Sequence, residues 1–134
     1  MLAQRSMSTT YLENYKKRQE MVRENRRMNS LARIEALKDM VPELQERYPF
    51  TELILFGSTA TLTADDNSDI DLYAPGLSFS QMVQLMTEVE LKFKTSVDIL
   101  VENIPAHLLA EIHSTGLRLF PFAQVESHEK SVAL

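Results

Sequence analysis

Cysteine is absent from this 134-residue chain. That removes disulfides and every thiolate zinc site, so a metal here would be held by carboxylates, imidazoles or backbone oxygens. Long apolar runs are also missing. No stretch approaches the roughly 18 residues needed to cross a bilayer, and the opening MLAQRSMSTT lacks the apolar centre of a secretory signal. No membrane partner is expected, and the expected compartment is the cytoplasm. There is no internal repeat, low-complexity segment or Gly/Ser linker to separate two cores. With 44% hydrophobic and 25% charged residues, the chain has the make-up of one globular domain.

Positive charge is scarce where it would matter for a nucleic-acid binder. Residues 1–50 carry ten Lys or Arg against seven Asp or Glu. Between Phe50 and Leu117 only Lys92 and Lys94 stand against Glu52, Asp65, Asp66, Asp69, Asp71, Glu88, Glu90, Asp98, Glu102 and Glu111. Such a field repels phosphates unless cations intervene. Direct nucleic-acid binding is therefore not expected, and a carboxylate cage for divalent metal is favoured.

What is present alternates between helical and strand periodicity. Residues 11–30 (YLENYKKRQEMVRENRRMNS) are charged helix formers without a broad apolar face and hold six of the 14 basic residues. From Leu31 the pattern changes. Leu31, Ile34, Leu37, Val41 and Leu44 recur at spacings of three and four, as on a helix facing a core, and Pro42 is expected to kink or restart that helix. Glu52–Phe56 reads as a buried strand ended by Gly57, Asp69–Ala74 as a strand with one dry face, and Val97–Val101 as another strand. Ser78 or Ser80 can cap a helix running to about Phe93. Pro105 suits the first turn of a helix to about His113, Gly116 can end it, and Leu117–Phe120 fits a short edge strand before Pro121. The fold class expected is α/β, a small mixed β-sheet flanked by helices.

The chemistry concentrates in LILFGSTATLTADDNSDIDLYA, where Gly57-Ser58 is followed after ten residues by Asp69-Ile70-Asp71. Two carboxylates one residue apart on a strand point to the same face, while Ile70 and Leu72 point to the core. Asp98, between Val97 and Ile99, sits inside the next strand, and a neighbouring strand would bring it alongside the first two. Two divalent ions about 3.5 to 4 Å apart would offset three clustered carboxylates and could clamp the attacking and leaving oxygens of a phosphoryl transfer. Gly57 allows backbone to approach a phosphate, and Ser58 adds a hydroxyl donor at a strand-to-helix turn.

At these residues the sequence resembles the minimal nucleotidyltransferases of the DNA polymerase β superfamily, and within it most closely the MNT antitoxins paired with HEPN ribonuclease toxins. The likeness extends through VDILVENIPAHLLAEIHSTGLRLF and covers roughly Leu31 to Phe120. It implies a polymerase-β-like nucleotidyltransferase domain at 31–120; the residue pattern itself adds a charged helical extension at 1–30 and a C-terminal tail at 121–134, loose after Phe122. By the same resemblance, Gly57 and Ser58 hold nucleotide phosphates, and Asp69 and Asp71 bind Mg²⁺, with Mn²⁺ as a substitute. Asp98 completes the metal site and helps deprotonate an acceptor hydroxyl. The implied reaction moves AMP from ATP to a hydroxyl, a tyrosine by preference, of a partner HEPN toxin. Whether the chain forms an oligomer is left open.

One departure from the family pattern stands out. Where the family carries Ala-Arg-Gly after the Gly-Ser, this chain has Ala60-Thr61-Leu62, so a phosphate-facing Arg and a flexible Gly are both missing. That motivates an alternative, a catalytically weak antitoxin that neutralises its partner by covering it. A further alternative is a small-molecule acceptor such as an aminoglycoside, which an acidic cleft would attract, although such enzymes generally carry extra C-terminal helices. The basic segment Lys16–Arg27 reads as a solvated or partner-facing helix ahead of a substitute cation source. His107, His113 and His128 lack metal-ligand spacing, and Asp65, Asp66 and Asn67 read as solvated turn residues.

Overall fold

Short strands with alternating burial need helices on the face that points away from water, and the chain provides them before and between its strands. The computed structural model describes residues 2–121, with side chains from residue 9 onward. In chain order the elements are α1 (Leu2–Arg47), β1 (Leu53–Phe56), α2 (Gly57–Ala60), β2 (Ile70–Tyr73), α3 (Phe79–Phe93), β3 (Val97–Leu100), α4 (Ala106–Thr115) and β4 (Leu117–Phe120). The four strands form one mixed sheet in the order β3-β2-β1-β4. β1 is antiparallel to both β2 and β4, and β2 is parallel to β3. This is the small mixed sheet flanked by helices that the periodicities imply, with β4 at its edge.

Most of the core lies on one face of the sheet. Leu53, Leu55, Ile70, Leu72, Val97 and Ile99 point there and pack with Leu37, Val41 and Leu44 of α1 and Leu85 and Val89 of α3. Full burial of each such side chain stabilises by about 1.5–3 kcal/mol, enough to fix which face of each strand turns inward. The opposite face is more thinly covered: Ile112 of α4 joins Ile54 and Tyr73 there, with Phe56, Leu100 and Leu108 around them. α3 starts at a capping box in which the Ser78 hydroxyl accepts from the Gln81 backbone N–H and the Gln81 side chain accepts from the Ser78 N–H.

The helix prediction needs one correction. α1 runs without a break from Leu2 to Arg47 through Pro42 and past the 30/31 position, so Pro42 does not restart it. An interior proline costs roughly 3 kcal/mol through its lost N–H and ring clash. Here Pro42 is exposed, and its neighbours Leu37, Val41 and Leu44 are almost fully buried, which offsets that cost. What changes near residue 30 is burial: residues 9–28 are exposed, whereas Ser30, Arg33, Ile34 and Leu37 are buried. No helix among the described residues is long and apolar enough to cross a membrane. The tail expected at 121–134 falls, beyond Pro121, outside the described residues.

Candidate active site

The site forms where β1 hands over to α2. Gly57 has φ +76, a left-handed conformation that costs side-chain-bearing residues strain. Space makes the same demand, because a Cβ on Gly57 would lie 2.3 Å from the Asp71 Oδ2 and 3.3 Å from its Cγ. The turn therefore lets the Asp71 carboxylate rest against bare backbone. Ser58 follows in the first turn of α2, where backbone N–H groups lack intrahelical partners. The Ser58 carbonyl accepts from the Thr63 N–H at 2.9 Å and the Thr63 hydroxyl at 3.3 Å, which folds the chain back at once.

The sheet register brings the acids together. Asp71 lies opposite Phe56 on β1 and opposite Asp98 on β3. Adjacent strands lie about 4.8 Å apart, so the two aspartates are direct neighbours on the face away from the main core. Asp69 stands one residue ahead of β2 and by alternation shares that face. Asp69 and Asp98 are exposed and Asp71 is half-buried. Burial pushes the Asp71 carboxyl above the usual carboxylate range, and the charges of Asp98 and Asp69 push it further the same way. Among the described residues no Lys, Arg or His stands within ion-pair distance of any of the three.

These features bear on whether a divalent cation fits. Three hard oxygen donors that repel one another and lack a basic counterion have the chemistry of an Mg²⁺ or Mn²⁺ site. Among the described residues, no three His, Asp or Glu side chains already converge into a metal cage. The donor set suits the ion, and ligation would have to draw the carboxylates together.

A residue absent from the sequence-based site holds the loop that delivers Asp69. Arg33 of α1 is 7% exposed. Its guanidinium donates to the Ser68 carbonyl at 2.9 Å, the Asp66 carbonyl at 3.3 Å and, more distantly, the Thr59 hydroxyl at 3.5 Å. One turn earlier, Asn29 donates to the Ala64 carbonyl at 2.9 Å, and the Ser30 hydroxyl accepts from the Ala64 N–H at 3.0 Å. The signal was available in the sequence, since Arg33 and Ser30 continue the Leu37-Val41-Leu44 stripe by two turns. Their polar character hid it.

Among the described residues set aside earlier, none is ion-paired or hydrogen-bonded to the three acids. The Asp65 carboxylate accepts from the Asn67 N–H and the Ser68 hydroxyl, bonds that lower its pKa, with the Asn67 bond the larger cause. His113 faces the Leu109 carbonyl and Glu52, which also meets Arg118. His107 is exposed, and His128 lies outside the described residues.

A helix-flanked mixed sheet with a Gly-Ser turn at the end of β1 and acids on β2 and β3 defines a nucleotidyltransferase scaffold. Residues 38–122 match the family described as polymerase beta, nucleotidyltransferase, and the chain belongs to that family. Among solved structures, it is similar to a chain from the crystal structure of a toxin–antitoxin with AMP-PNP. There the identity is 20% and the TM-score 0.53, over 72% of this chain and 82% of that one. It is also similar to a chain of a mutant MntA–HpeT toxin–antitoxin, with 17% identity and a TM-score of 0.51 over 72% and 81%. A third similarity, at 17% identity and TM-score 0.49 over 69% and 76%, is to a chain of tri-AMPylated Shewanella oneidensis HEPN toxin in complex with MNT antitoxin. At these identities the likeness is one of fold. No curated protein matches the chain.

Proposed function

We propose that this chain is an antitoxin-type nucleotidyltransferase that moves AMP from ATP to a hydroxyl, a tyrosine by preference, of a HEPN-type ribonuclease toxin. The observation that carries the reading is the left-handed Gly57 turn packed on the Asp71 carboxylate, with Asp98 in register beside it. A toxin–antitoxin chain of the same fold has been crystallised with AMP-PNP, which supports a nucleotide as substrate. The HEPN partner rests on the sequence resemblance to MNT antitoxins.

In this reading Gly57 and Ser58 bind the nucleotide's phosphates through backbone N–H groups of the turn and the Ser58 hydroxyl. Asp69, Asp71 and Asp98 would hold divalent cations, two Mg²⁺ by preference, which when bound neutralise phosphate and carboxylate charge. Asp98, exposed and without an ion-pair partner among the described residues, helps take the proton of the acceptor hydroxyl. The hydroxyl oxygen forms a bond to the α-phosphorus, the bond to the β-phosphate bridge breaks, and pyrophosphate leaves with that bond's electron pair. The half-buried Asp71 fixes the depth of the cluster, and Gly57 keeps room for its carboxylate.

A second reading keeps the fold and drops the chemistry. It is favoured by the absence of a preformed three-acid cage among the described residues and by Thr61-Leu62 in place of Arg-Gly. The two readings separate in one experiment. The parent, Asp69→Asn and Asp71→Asn are each mixed with the partner toxin, ATP and Mg²⁺, with adenylyl addition read by mass shift and toxin activity by RNA cleavage. The enzyme reading expects transfer by the parent and a fall of orders of magnitude in both variants, with neutralisation failing alongside it. Variants that neutralise as well as the parent while transferring nothing leave the binding antitoxin.

A further inference from the structure

The departure at Thr61-Leu62 leaves a charge problem that the fold addresses from another direction. A nucleoside triphosphate brings about four negative charges to a site that already holds three carboxylates. Between Phe50 and Leu117 the chain offers only Lys92 and Lys94, both at the C-terminal end of α3. Two divalent cations would offset about four of these charges, and side-chain cations to meet the remainder lie mostly outside that segment.

A cavity of about 440 Å³ opens between α1 and the turn after α2, lined by Glu20, Arg23, Glu24, Arg27, Leu62 and Thr63. Its Thr63 wall is bonded directly to the nucleotide turn, through the two hydrogen bonds to the Ser58 carbonyl and a 3.0 Å contact between the Thr61 and Thr63 hydroxyls. Arg23 and Arg27, one turn apart on α1, therefore border the chain segment that leads out of the Gly57-Ser58 turn. Among the described residues Arg27 pairs only with Glu24, at 3.5 Å, with both side chains more than half exposed. An exposed pair of this kind contributes little and exchanges readily for a better anion. Arg23 forms no ion pair among the described residues. A planar guanidinium binds phosphate through two parallel N–H bonds, which a carboxylate three residues away on the same helix does not compete with well.

We propose that Arg23 and Arg27 bind the terminal phosphates of a nucleoside triphosphate held at Gly57 and Ser58, so that α1 supplies the cations missing after α2. The inference rests on the nucleotidyltransferase reading above and adds the residues that distinguish a triphosphate from a monophosphate. The arginines would also stabilise the charge that accumulates on the departing pyrophosphate.

The test is calorimetric titration of the full chain, without partner, with ATP, AMP and pyrophosphate in the presence of Mg²⁺. Variants are Arg23→Ala/Arg27→Ala, Glu24→Gln, and Arg26→Ala, which faces Asp65 and Asp66 and not this cavity. All four arginine and glutamate positions are exposed, so melting curves should be unchanged. The double variant is expected to lose roughly tenfold or more in affinity for ATP and pyrophosphate while AMP binding stays within about twofold. Glu24→Gln is expected to tighten ATP binding by releasing Arg27, and Arg26→Ala to change nothing. Equal ATP binding by parent and double variant overturns the inference and leaves the nucleotidyltransferase reading standing. A parent that binds no ATP at all overturns both.

Discussion

The two faces of the sheet divide the work within single strands. On one face Leu53, Leu55, Ile70, Leu72, Val97 and Ile99 are buried under α1 and α3. On the other, α4 lies over Ile54 and Tyr73, while Asp71 is only half-buried and Asp98 is exposed. Because side chains alternate, Leu72 and Asp71 are chain neighbours that serve opposite ends, one holding the sheet to its helices and one gathering charge. The dry face tolerates no charge, and the wet face tolerates three carboxylates only by keeping them near water or beside a cation.

Substitutions on the two faces should therefore separate cleanly, and the largest effects fall here. Leu72→Ala removes a side chain that is 1% exposed, and a loss of about 2–5 kcal/mol in stability is expected from the lost burial and residual cavity. Asp98→Asn, on the next strand and the opposite face, should leave the melting curve almost unmoved while lowering AMP transfer by orders of magnitude. Denaturant unfolding and a transfer assay on the same two preparations check the contrast. Similar effects of both variants on both measurements would mean that the faces are not functionally distinct.

How much of this was legible beforehand follows the same divide. Alternation is local, so the shared face of Asp69 and Asp71 and the inward direction of Ile70 and Leu72 could be read directly. Gly57 carried its own signal, since it ends an apolar strand and opens the Gly-Ser turn. Pairing is non-local. That β2 and β3 run parallel with Asp71 opposite Asp98 depends on how α3 crosses over the sheet, and the strand sequences fix no register by themselves. Arg33 escaped because a buried arginine is uncommon and its partners are backbone carbonyls, which no residue type announces. α1 was expected with an interruption because Pro42 has a strong local preference, which burial of the surrounding stripe overrides.

Gly57 lies at the boundary between the faces, and its substitution sharpens the comparison with a mixed outcome. Gly57→Ala places a methyl group where the Asp71 carboxylate now rests and forces a left-handed backbone on alanine. The strain costs about 1–2 kcal/mol in stability. The carboxylate, being the free end of a side chain, moves aside, and a displacement of an ångström can lower turnover by roughly a hundredfold. Transfer should thus fall far more than stability. A crystal structure of the variant with Asp71 unmoved, together with lost transfer, would place the cause elsewhere.

The smallest effect expected is a gain, and it arises because the wet face carries uncompensated charge. Asp71 is raised above its ordinary 3.8, first by burial and then by Asp98 and Asp69, so ionising it costs more in the folded chain than in the unfolded one. Its contribution to stability is fully present below the unfolded value and is lost as pH rises through the higher folded value. Asp71→Asn removes the titration. In EDTA the variant should therefore melt higher than the parent at neutral pH, by an amount that shrinks as pH falls toward the ordinary carboxylate range. Adding millimolar Mg²⁺ or Mn²⁺ at neutral pH should reverse the order, because the parent gains stability from ligation that the variant largely forfeits. Thermal melts from about pH 4 to 8, with and without metal, check both halves. A variant that melts lower than the parent in EDTA at neutral pH would show that Asp71 is held by a favourable partner in the metal-free fold. Melting curves of the parent that ignore both metal and ATP would instead count against the carboxylates as a cation site, and the wet face would then be an interaction surface alone.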